Sequence, residues 1–323
     1  MGIELADMTP EAPAEKRFRI LVCINLSEDS YKGLRYAVRL GSGTDADITL
    51  LYVRSIDKAL RSGGLHIRVA RENLLQWGLE LPGIKALKKG RDMLLDMGFL
   101  GDDWRESSMH MDVQGDPLGD NLIEYTGEDG RKITLKLMVS PSVARGILDE
   151  CELGEYDITI ISASDQREDG EASRPFNQSI AHTVATDHRG TVIVARELEE
   201  SHGHLICVTG SQASLDTARR DAEVASRCFC PVYLFSVAPD EAGIPAAEKA
   251  IADARAVIEK AGISVFGEKV VIGEPVEEIV KEGTNYSMIV LSASERKGLR
   301  RFFQTGVAYK VLEKATNSVM ISR

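Results

Sequence analysis

Residues 287–294, Ser-Met-Ile-Val-Leu-Ser-Ala-Ser, form a short apolar run that ends in small residues. Such a run is typical of a strand buried in a parallel sheet. A basic loop follows at 295–304, and Thr305-Gly306 then precedes a helical pattern of apolar residues. A final strand is predicted at 318–321. Strand, loop, helix N-terminus and strand, in this order, can seat a phosphate group on free helix N–H groups.

The bulk composition limits the class of protein. A chain of 323 residues predicts two domains, each of about 150 residues. The net charge of −11 argues against sequence-independent binding to nucleic acid or to an anionic membrane surface. No apolar run approaches the roughly 20 residues of a membrane span, and the N-terminus lacks the basic and apolar regions of a signal peptide. We therefore expect a cytoplasmic protein with no nucleic-acid partner and no membrane span.

The five cysteines predict reduced thiols without a metal. Cys23 and Cys207 lie in apolar strand-like runs, where a buried thiol acts as a small hydrophobic group. Cys228 and Cys230 form a Cys-x-Cys at a predicted helix-to-strand junction, and Cys151 stands alone. None of the six histidines supplies an evident partner motif.

The first half alternates predicted strands and helices from residue 17 to 196, after a polar stretch at 1–16 that we interpret as a disordered leader. A further helix is predicted after the second strand, ending near Gly98, and from Met109 apolar residues alternate with period two. Gly127-Glu128-Asp129-Gly130 is a suitable turn between two such segments. We therefore predict an inserted β-hairpin formed by 121–126 and 131–139, with its tip at 127–130.

The second half, residues 203–323, repeats the first after a linker at 196–203. His204-Leu205-Ile206-Cys207 aligns with Ile20-Leu21-Val22-Cys23 at an offset of 184 residues. The offset falls to 164 at Ala261-Gly262 and to 130 at Ser292-Ala293-Ser294, which places insertions of 20 and 34 residues in the first half. A repeat of this size indicates duplicated domains rather than a solenoid.

Each half is therefore predicted to be α/β, with the element order βαβαβαβαβ. Near-continuous apolar strands that alternate with helices form a parallel sheet covered on both faces. Ligands of such sheets bind beyond the carboxyl ends of the strands, where the strand order reverses. This rule places one cleft at residues 25–27 and 162–179, and the other at 209–211 and 292–306.

Both halves resemble universal stress protein domains. The first strand of that family typically reads Ile-Leu-Val-x-Val-Asp-Gly-Ser, and residues 20–27 read Ile-Leu-Val-Cys-Ile-Asn-Leu-Ser. Gly298-Leu299, Gly306-Val307-Ala308 and the last strand resemble the family's tail most closely. The resemblance covers 17–323 and implies two five-stranded, Rossmann-like sheets in the order 3-2-1-4-5, without required catalysis. It also implies dimerisation through the last strands, which two copies in one chain could achieve internally.

The second half differs from this family's nucleotide-binding motif. Members that bind nucleotide carry Gly-x2-Gly-x9-Gly-[Ser/Thr] after the fourth strand, and the matching positions here are Ser292, Glu295, Thr305 and Gly306. Glycine lets backbone N–H groups approach a phosphate, whereas side chains obstruct that approach. The carboxylate of Glu295 would also repel phosphate. The resemblance therefore predicts loss of nucleotide binding here.

The motif is also altered in the first half. Its matching positions are Ser162, Asp165, Gln178 and Ser179, after a loop that is three residues longer. The aspartate that contacts adenosine in the family is Asn25 in the first half and Thr209 in the second. We predict that both motifs are degraded, the first more strongly.

The candidate cleft residues follow from these positions. In the second half they are Thr209, Gly210, Ser211, Val237, Ser292, Ser294, Arg296, Gly298, Thr305 and Gly306. In the first half, with weaker support, they are Asn25, Ser27, Val53, Ser162 and Ser179. The basic loop residues, Arg296, Lys297, Arg300 and Arg301, could hold an anion by their side chains, although such runs are usually solvated. ATP or AMP binding in the second half therefore stays an alternative.

No catalytic motif is present. His182 and His188 have no nucleophile or carboxylate at motif spacing and are predicted to be surface residues, while Ser27 and Ser211 are predicted helix N-caps. There is no nucleophile elbow, P-loop lysine or metal signature. Three functions compete: a tandem stress-response regulator or scaffold, an adenine-nucleotide switch, and a nucleotide hydrolase, which lacks identifiable catalytic residues.

The expected assembly is internal. The strands at 191–195 and 318–321 are apolar edges, which need covering. We predict that they pair antiparallel within one chain as a pseudo-dimer. A homodimer of two such chains and an unidentified protein partner remain open.

Overall fold

The structure is a computed structural model that describes residues 17–25, 27–42, 46–56, 82–113, 116–164, 179–196, 202–293 and 306–323. The predicted leader at 1–16 lies outside the described residues. The strands are β1 (Phe18–Cys23), β2 (Ala46–Ser55), β3 (Arg105–Val113), β4 (Asp116–Thr126), β5 (Lys132–Ser140), β6 (Ile158–Ser162), β7 (Thr191–Ala195), β8 (His204–Cys207), β9 (Val232–Ala238), β10 (Val265–Ile272), β11 (Met288–Ser292) and β12 (Ser318–Ser322). The α-helices are α1 (Glu28–Ser42), α2 (Pro82–Asp96), α3 (Val143–Gly154), α4 (Ile180–Asp187), α5 (Gln212–Arg227), α6 (Ile244–Lys260), α7 (Pro275–Gly283) and α8 (Val307–Lys314).

Within the described ranges, all twelve strands belong to one sheet, in the order β10-β9-β8-β11-β12-β7-β6-β1-β2-β5-β4-β3. The five strands β5-β2-β1-β6-β7 are parallel to one another, and so are β10-β9-β8-β11-β12. Both sets follow the predicted order 3-2-1-4-5, counted along the repeat. The predicted α/β class with two parallel five-stranded units is therefore confirmed.

The two parallel units meet at β7 and β12. These strands pair antiparallel, with Val194 opposite Val319, Ile193 opposite Met320 and Val192 opposite Ile321. Apart from Thr191, every residue of both strands is buried. The predicted antiparallel pairing of the last strands within one chain is confirmed.

The edge of the first half is wider than that of the second, as predicted. β4 pairs antiparallel with β5 from Asn121 opposite Leu137 to Thr126 opposite Lys132, and Gly127–Gly130 forms the turn. β3 adds a further antiparallel strand outside β4. β5 itself is parallel to β2, and the chain turns after Ser140 into α3. The predicted hairpin pairing is confirmed, but β5 is the third strand of the parallel unit, so the inserted strands are β4 and β3.

Each face of the sheet carries its own hydrophobic core. Alternate residues of β1 show the division, because Ile20 and Val22 pack on one face whereas Leu21 and Cys23 pack on the other. Helices α1, α2, α5 and α6 cover the first face, and α3, α4, α7 and α8 cover the second. On the first face α1 contacts α5, so the core is continuous between the halves. None of the described helices is long and apolar enough to cross a bilayer.

Candidate functional site

The carboxyl ends of β1 and β6 bring Asn25, Ser27 and Ser162 together, as predicted for the first cleft. Asn25 Oδ1 accepts hydrogen bonds from Ser27 N at 2.9 Å and Ser27 Oγ at 2.5 Å. Ser27 Oγ lies 3.2 Å from Ser162 Oγ. Ser27 also precedes the first residue of α1 and accepts from Ser30 N, as the predicted N-cap should.

A second layer of hydrogen bonds links these residues to Ser164. Asn25 Nδ2 donates to Ser164 O at 2.9 Å, and the hydroxyls of Ser162 and Ser164 lie 2.9 Å apart. Ser27 and Ser162 are only 2% and 4% exposed. These polar groups are therefore bonded to each other, with Ser27 and Ser162 buried and Asn25 and Ser164 partly buried.

The first cleft also contains a carboxylate. Asp29 Oδ2 accepts from Ser164 Oγ at 3.0 Å, and Lys32 Nζ lies 3.4 Å from its other oxygen. Both side chains of this ion pair are about one-third exposed, so solvent weakens their attraction and Lys32 neutralises the charge of Asp29 only in part. A phosphate group entering here would meet a negative charge beside a closed hydrogen-bond network.

The other two predicted residues of the first cleft have structural roles. Val53 is 7% exposed and packs in the hydrophobic core beneath α3. Ser179 caps α4, since its Oγ accepts from His182 N at 3.0 Å. One of the first N–H groups of α4 therefore already has a side-chain partner.

The second cleft is more open. Thr209, Gly210 and Ser211 are all exposed, and a Cβ on Gly210 would meet no atom within 4 Å. Ser211 caps α5 as predicted, because its Oγ accepts from Ser214 N at 3.3 Å. The hydroxyls of Thr209 and Ser211 lie 3.0 Å apart and form an exposed polar pair.

The N-terminus of α8 differs from that of α4. Gly306 is the exposed N-cap of α8 and has no side chain that could accept from the first helical N–H groups. Ser292 ends β11 and is partly buried, as is Val237 of β9. The described part of the second cleft thus combines exposed hydroxyls with a helix N-terminus that lacks a side-chain cap, which is a suitable arrangement for an anion.

Several predicted residues cannot be placed. Ser294, Arg296, Gly298 and Thr305 lie outside the described residues, together with Glu295, Asp165 and Gln178. The predictions about glycine replacement and the basic loop therefore stay predictions at these positions.

The prediction that His182 and His188 are surface residues is wrong. They are 5% and 8% exposed, because α4 packs against β7 and α3 and its C-terminus is covered by the end of the chain. Burial, and secondarily the nearby charge of Arg323, lowers the pKa of His188 to about 4. Its Nε2 is buried and has no hydrogen-bond partner among the described residues.

Sequence reasoning also missed a buried cluster on the other face of the sheet. His204, the first residue of β8, lies beside Cys228 and Cys230, which were predicted to have no histidine partner. The parallel register of β8 and β9 sets His204 opposite Val232, two residues beyond Cys230. The repeat offset, which aligned both strands, was the signal that could have brought the three residues together.

The charges in this cluster are coupled. Burial opposes protonation of His204, but the Asp221 carboxylate outweighs it and raises the pKa of His204 to about 10. A hydrogen bond from Cys228 lowers the pKa of Cys230 to about 5. Burial acts in the opposite direction, and His204 adds to the lowering. The same interaction, together with burial, raises the pKa of Cys228. Cys230 is therefore the more acidic thiol of the pair.

Comparison with known proteins agrees with this fold. Residues 204–323 match the sequence model of the universal stress protein family. A universal stress protein from Archaeoglobus fulgidus has a similar structure, with a TM-score of 0.53 and 15% identity over 94% of this chain and 96% of that one. A protein from Pseudomonas aeruginosa, assigned to the same family, gives a TM-score of 0.57 and 12% identity over 94% and 92% of the two chains. A search among curated proteins found no match.

Proposed function

We propose that this chain is a tandem universal stress protein that acts in the cytoplasm as a regulatory or scaffolding module rather than as an enzyme. The family match at residues 204–323 supports this for the second half. For the first half the support is the shared strand order and the structural similarity over 94% of the chain. We take 17–196 and 203–323 as its two domains.

In this proposal the chain is its own dimer. The last strands of the two halves, β7 and β12, supply the antiparallel contact that the family resemblance assigns to two subunits. The buried residues on both strands make this contact part of the hydrophobic core rather than a weak surface contact. A partner protein would then meet one rigid two-domain unit.

The observation that carries the proposal is the hydrogen-bond network that links the polar residues of the first cleft to one another. Asn25, Ser27, Ser162 and Ser164 satisfy one another, and Asp29 adds a negative charge. Opening that network for a phosphate would break several buried or partly buried hydrogen bonds, each worth at most about 0.5–1.5 kcal/mol net. A module whose nucleotide site is lost would act through its surface.

An adenine-nucleotide switch is the second candidate, confined to the second half. The exposed Thr209–Ser211 pair and Gly306, which leaves the start of α8 without a side-chain cap, favour it. ATP or AMP would then place its phosphates at α8. The replaced glycines at Ser292 and Thr305 argue against it.

Melting of the purified chain with Mg-ATP, ADP and AMP separates these candidates. A ligand at about 100 times its dissociation constant adds roughly 2.7 kcal/mol to stability, so binding would raise the melting temperature by several degrees. We expect no shift in the wild type. A phosphate-release assay run beside it would expose a nucleotide hydrolase.

Two matched variants locate any shift that is found. Gly306→Asp adds a negative charge at the N-cap of α8, and Ser179→Asp does the same at the equivalent position of α4. A nucleotide-dependent rise that Gly306→Asp removes and Ser179→Asp keeps would replace the scaffold proposal with the switch.

A further inference from the structure

We propose that Cys228, Cys230 and His204 form a binding site for a thiophilic metal ion, Zn²⁺ or Cu⁺, at the junction of the two halves. One ligand atom from each of the three residues lies within 4.8 Å of the other two. Two sulfur atoms and one imidazole nitrogen are a ligand set that Zn²⁺ and Cu⁺ favour over Mg²⁺ or Ca²⁺. The site is separate from both nucleotide clefts, because it lies at the amino ends of β8 and β9.

The backbone brings the two sulfur atoms together. After α5 ends at Arg227, Cys230 N donates to Ala225 O at 2.9 Å and Phe229 N donates to Ser226 O at 3.2 Å. This helix C-cap needs a left-handed residue, and Phe229 adopts it with φ of 54°. The Phe229 side chain is 89% exposed, so the thiols rather than the aromatic ring turn inward. The Cys228 and Cys230 sulfur atoms lie 2.7 Å apart.

A conformation that favours glycine is held here by an exposed phenylalanine. A bulky residue rarely adopts this left-handed conformation, and such residues cluster at functional sites. The helix cap alone would be served better by glycine, as at Gly262 after α6, where φ is 79°. The strained turn therefore adds to the case that the placement of the two thiols matters.

The imidazole is oriented as a metal ligand is. His204 Nδ1 lies 3.1 Å from both oxygens of Asp221, and the His204 and Asp221 side chains are almost fully buried. A carboxylate behind a histidine fixes its tautomer and ring orientation in many metal sites. Nδ1 thus donates to Asp221, and Nε2, which faces Tyr36, is the nitrogen that a metal ion would bind in place of a proton.

The groups around the three ligands also balance the charge of the site. Tyr36 Oη, on α1, lies 3.1 Å from His204 Nε2, so a hydroxyl from the first half adjoins the ligand set. Arg39 Nη2 lies 3.6 Å from Cys230 Sγ and offsets the charge of Asp221. Two thiolates and a neutral imidazole would then make a Zn²⁺ complex neutral, and the fourth tetrahedral position would be left to water. A Cu⁺ ion would need only the three residues.

Titration of the reduced, full-length chain with Zn²⁺ and, separately, with Cu⁺ tests the proposal, with a competing chromophoric chelator to report affinity and Mg²⁺ as the negative control. We expect one equivalent of Zn²⁺ or Cu⁺ per chain and a rise in melting temperature with the bound ion. Co²⁺ substituted for Zn²⁺ should give a thiolate-to-metal charge-transfer band, which needs no variant to interpret.

Variants then assign the ligands. Cys228→Ser and Cys230→Ser should each abolish stoichiometric binding, whereas Cys207→Ser, on the same strand as His204, should keep it. Asp221→Asn should weaken binding by about 10–100-fold, as loss of a partner behind a ligand does. Circular dichroism of each apo variant shows whether it is folded.

Three results would overturn the proposal. One is the absence of binding and of the Co²⁺ band in the reduced wild type. Another is stoichiometric binding that survives both cysteine variants in folded protein. The third is a wild type that forms a Cys228–Cys230 disulfide on mild oxidation but binds neither ion when reduced, which would assign the pair to redox chemistry instead.

Discussion

Tyr36 Oη lies 3.1 Å from His204 Nε2, so a helix of the first half is hydrogen-bonded to the first strand of the second half inside the protein. Tyr36 and His204 are 5% and 0% exposed. Tyr36→Phe removes the hydroxyl and leaves Nε2 without this partner. We expect a loss of about 0.5–1.5 kcal/mol in the free energy of unfolding, the net worth of a typical hydrogen bond, because Cys230 remains hydrogen-bonded to His204. Urea unfolding of the reduced, metal-free protein measures it.

Tyr286→Phe is the matched control. The Tyr286 hydroxyl makes a longer hydrogen bond of 3.4 Å to Glu282 on a partly exposed side chain. Its removal should change stability by no more than about 0.5 kcal/mol. Equal losses in the two variants would contradict a special role for the contact between the halves.

The pairing of β7 with β12 predicts a large effect at its centre. Ile193, opposite Met320, is completely buried. Ile193→Ala should cost about 2–5 kcal/mol, because it removes buried methyl groups and leaves a cavity. Ile272→Ala, at a residue of β10 that is 47% exposed, is the control and should cost much less. If unfolding showed Ile193→Ala to be as mild as the control, the junction would not be a rigid core.

His188 predicts a specific loss of stability in acid. Its pKa in the folded chain is lowered to about 4, by burial and by Arg323, whereas an unfolded chain takes up the proton at about 6.5. Between these values the unfolded state binds more protons, so stability rises with pH. Burial of neutral His188 therefore costs no stability above about pH 6.5. As pH falls toward 4, the free energy of unfolding decreases by at most about 3 kcal/mol.

His188→Gln isolates this effect from the other titrating groups. The difference in unfolding free energy between wild type and variant should change between about pH 6.5 and 4 and stay constant above it. A difference that does not vary with pH would show that His188 is protonated equally in both states.

The strand order was predictable because each step relied on a strong local signal. The apolar runs at Ile20–Val22 and Met288–Leu291 identify buried parallel strands, and the repeat offset carries the order of one half over to the other. The hairpin at Gly127–Gly130 follows from period-two alternation around a glycine turn. The outermost strand, β3, was not predicted as part of the hairpin, since only its last residues alternate clearly.

Long-range contacts account for what was missed. His188 was assigned to the surface because its own helix offers nothing to bury it, whereas Arg323, at the far end of the chain, lies against that helix. His204 and Cys230 are separated by 26 positions and meet only through the register of β8 and β9. Neither contact leaves a periodic pattern in the sequence.

The last prediction concerns the second cleft, where the family resemblance aligns side chains with the glycines of the nucleotide-binding motif. The variant Ser292→Gly, Glu295→Gly, Thr305→Gly, Gly306→Ser restores backbone access and a hydroxyl at the start of α8. We expect no binding of Mg-ATP by the wild type and measurable binding by this variant. Each restored hydrogen bond to a charged phosphate is worth about 1.5–3 kcal/mol. Isothermal calorimetry measures both proteins.

Two single changes separate the causes. Glu295→Gly alone should give part of the gain, because charge repulsion acts whatever the backbone geometry. Ser162→Gly in the first half should give no gain in binding, since Asn25 and Ser27 stay hydrogen-bonded to each other and Asp29 keeps its negative charge there. Tight binding by the wild type would refute the loss of the nucleotide site. Failure of the fourfold variant to bind would place the cause instead at Thr209, where the family's adenosine-contacting aspartate is missing.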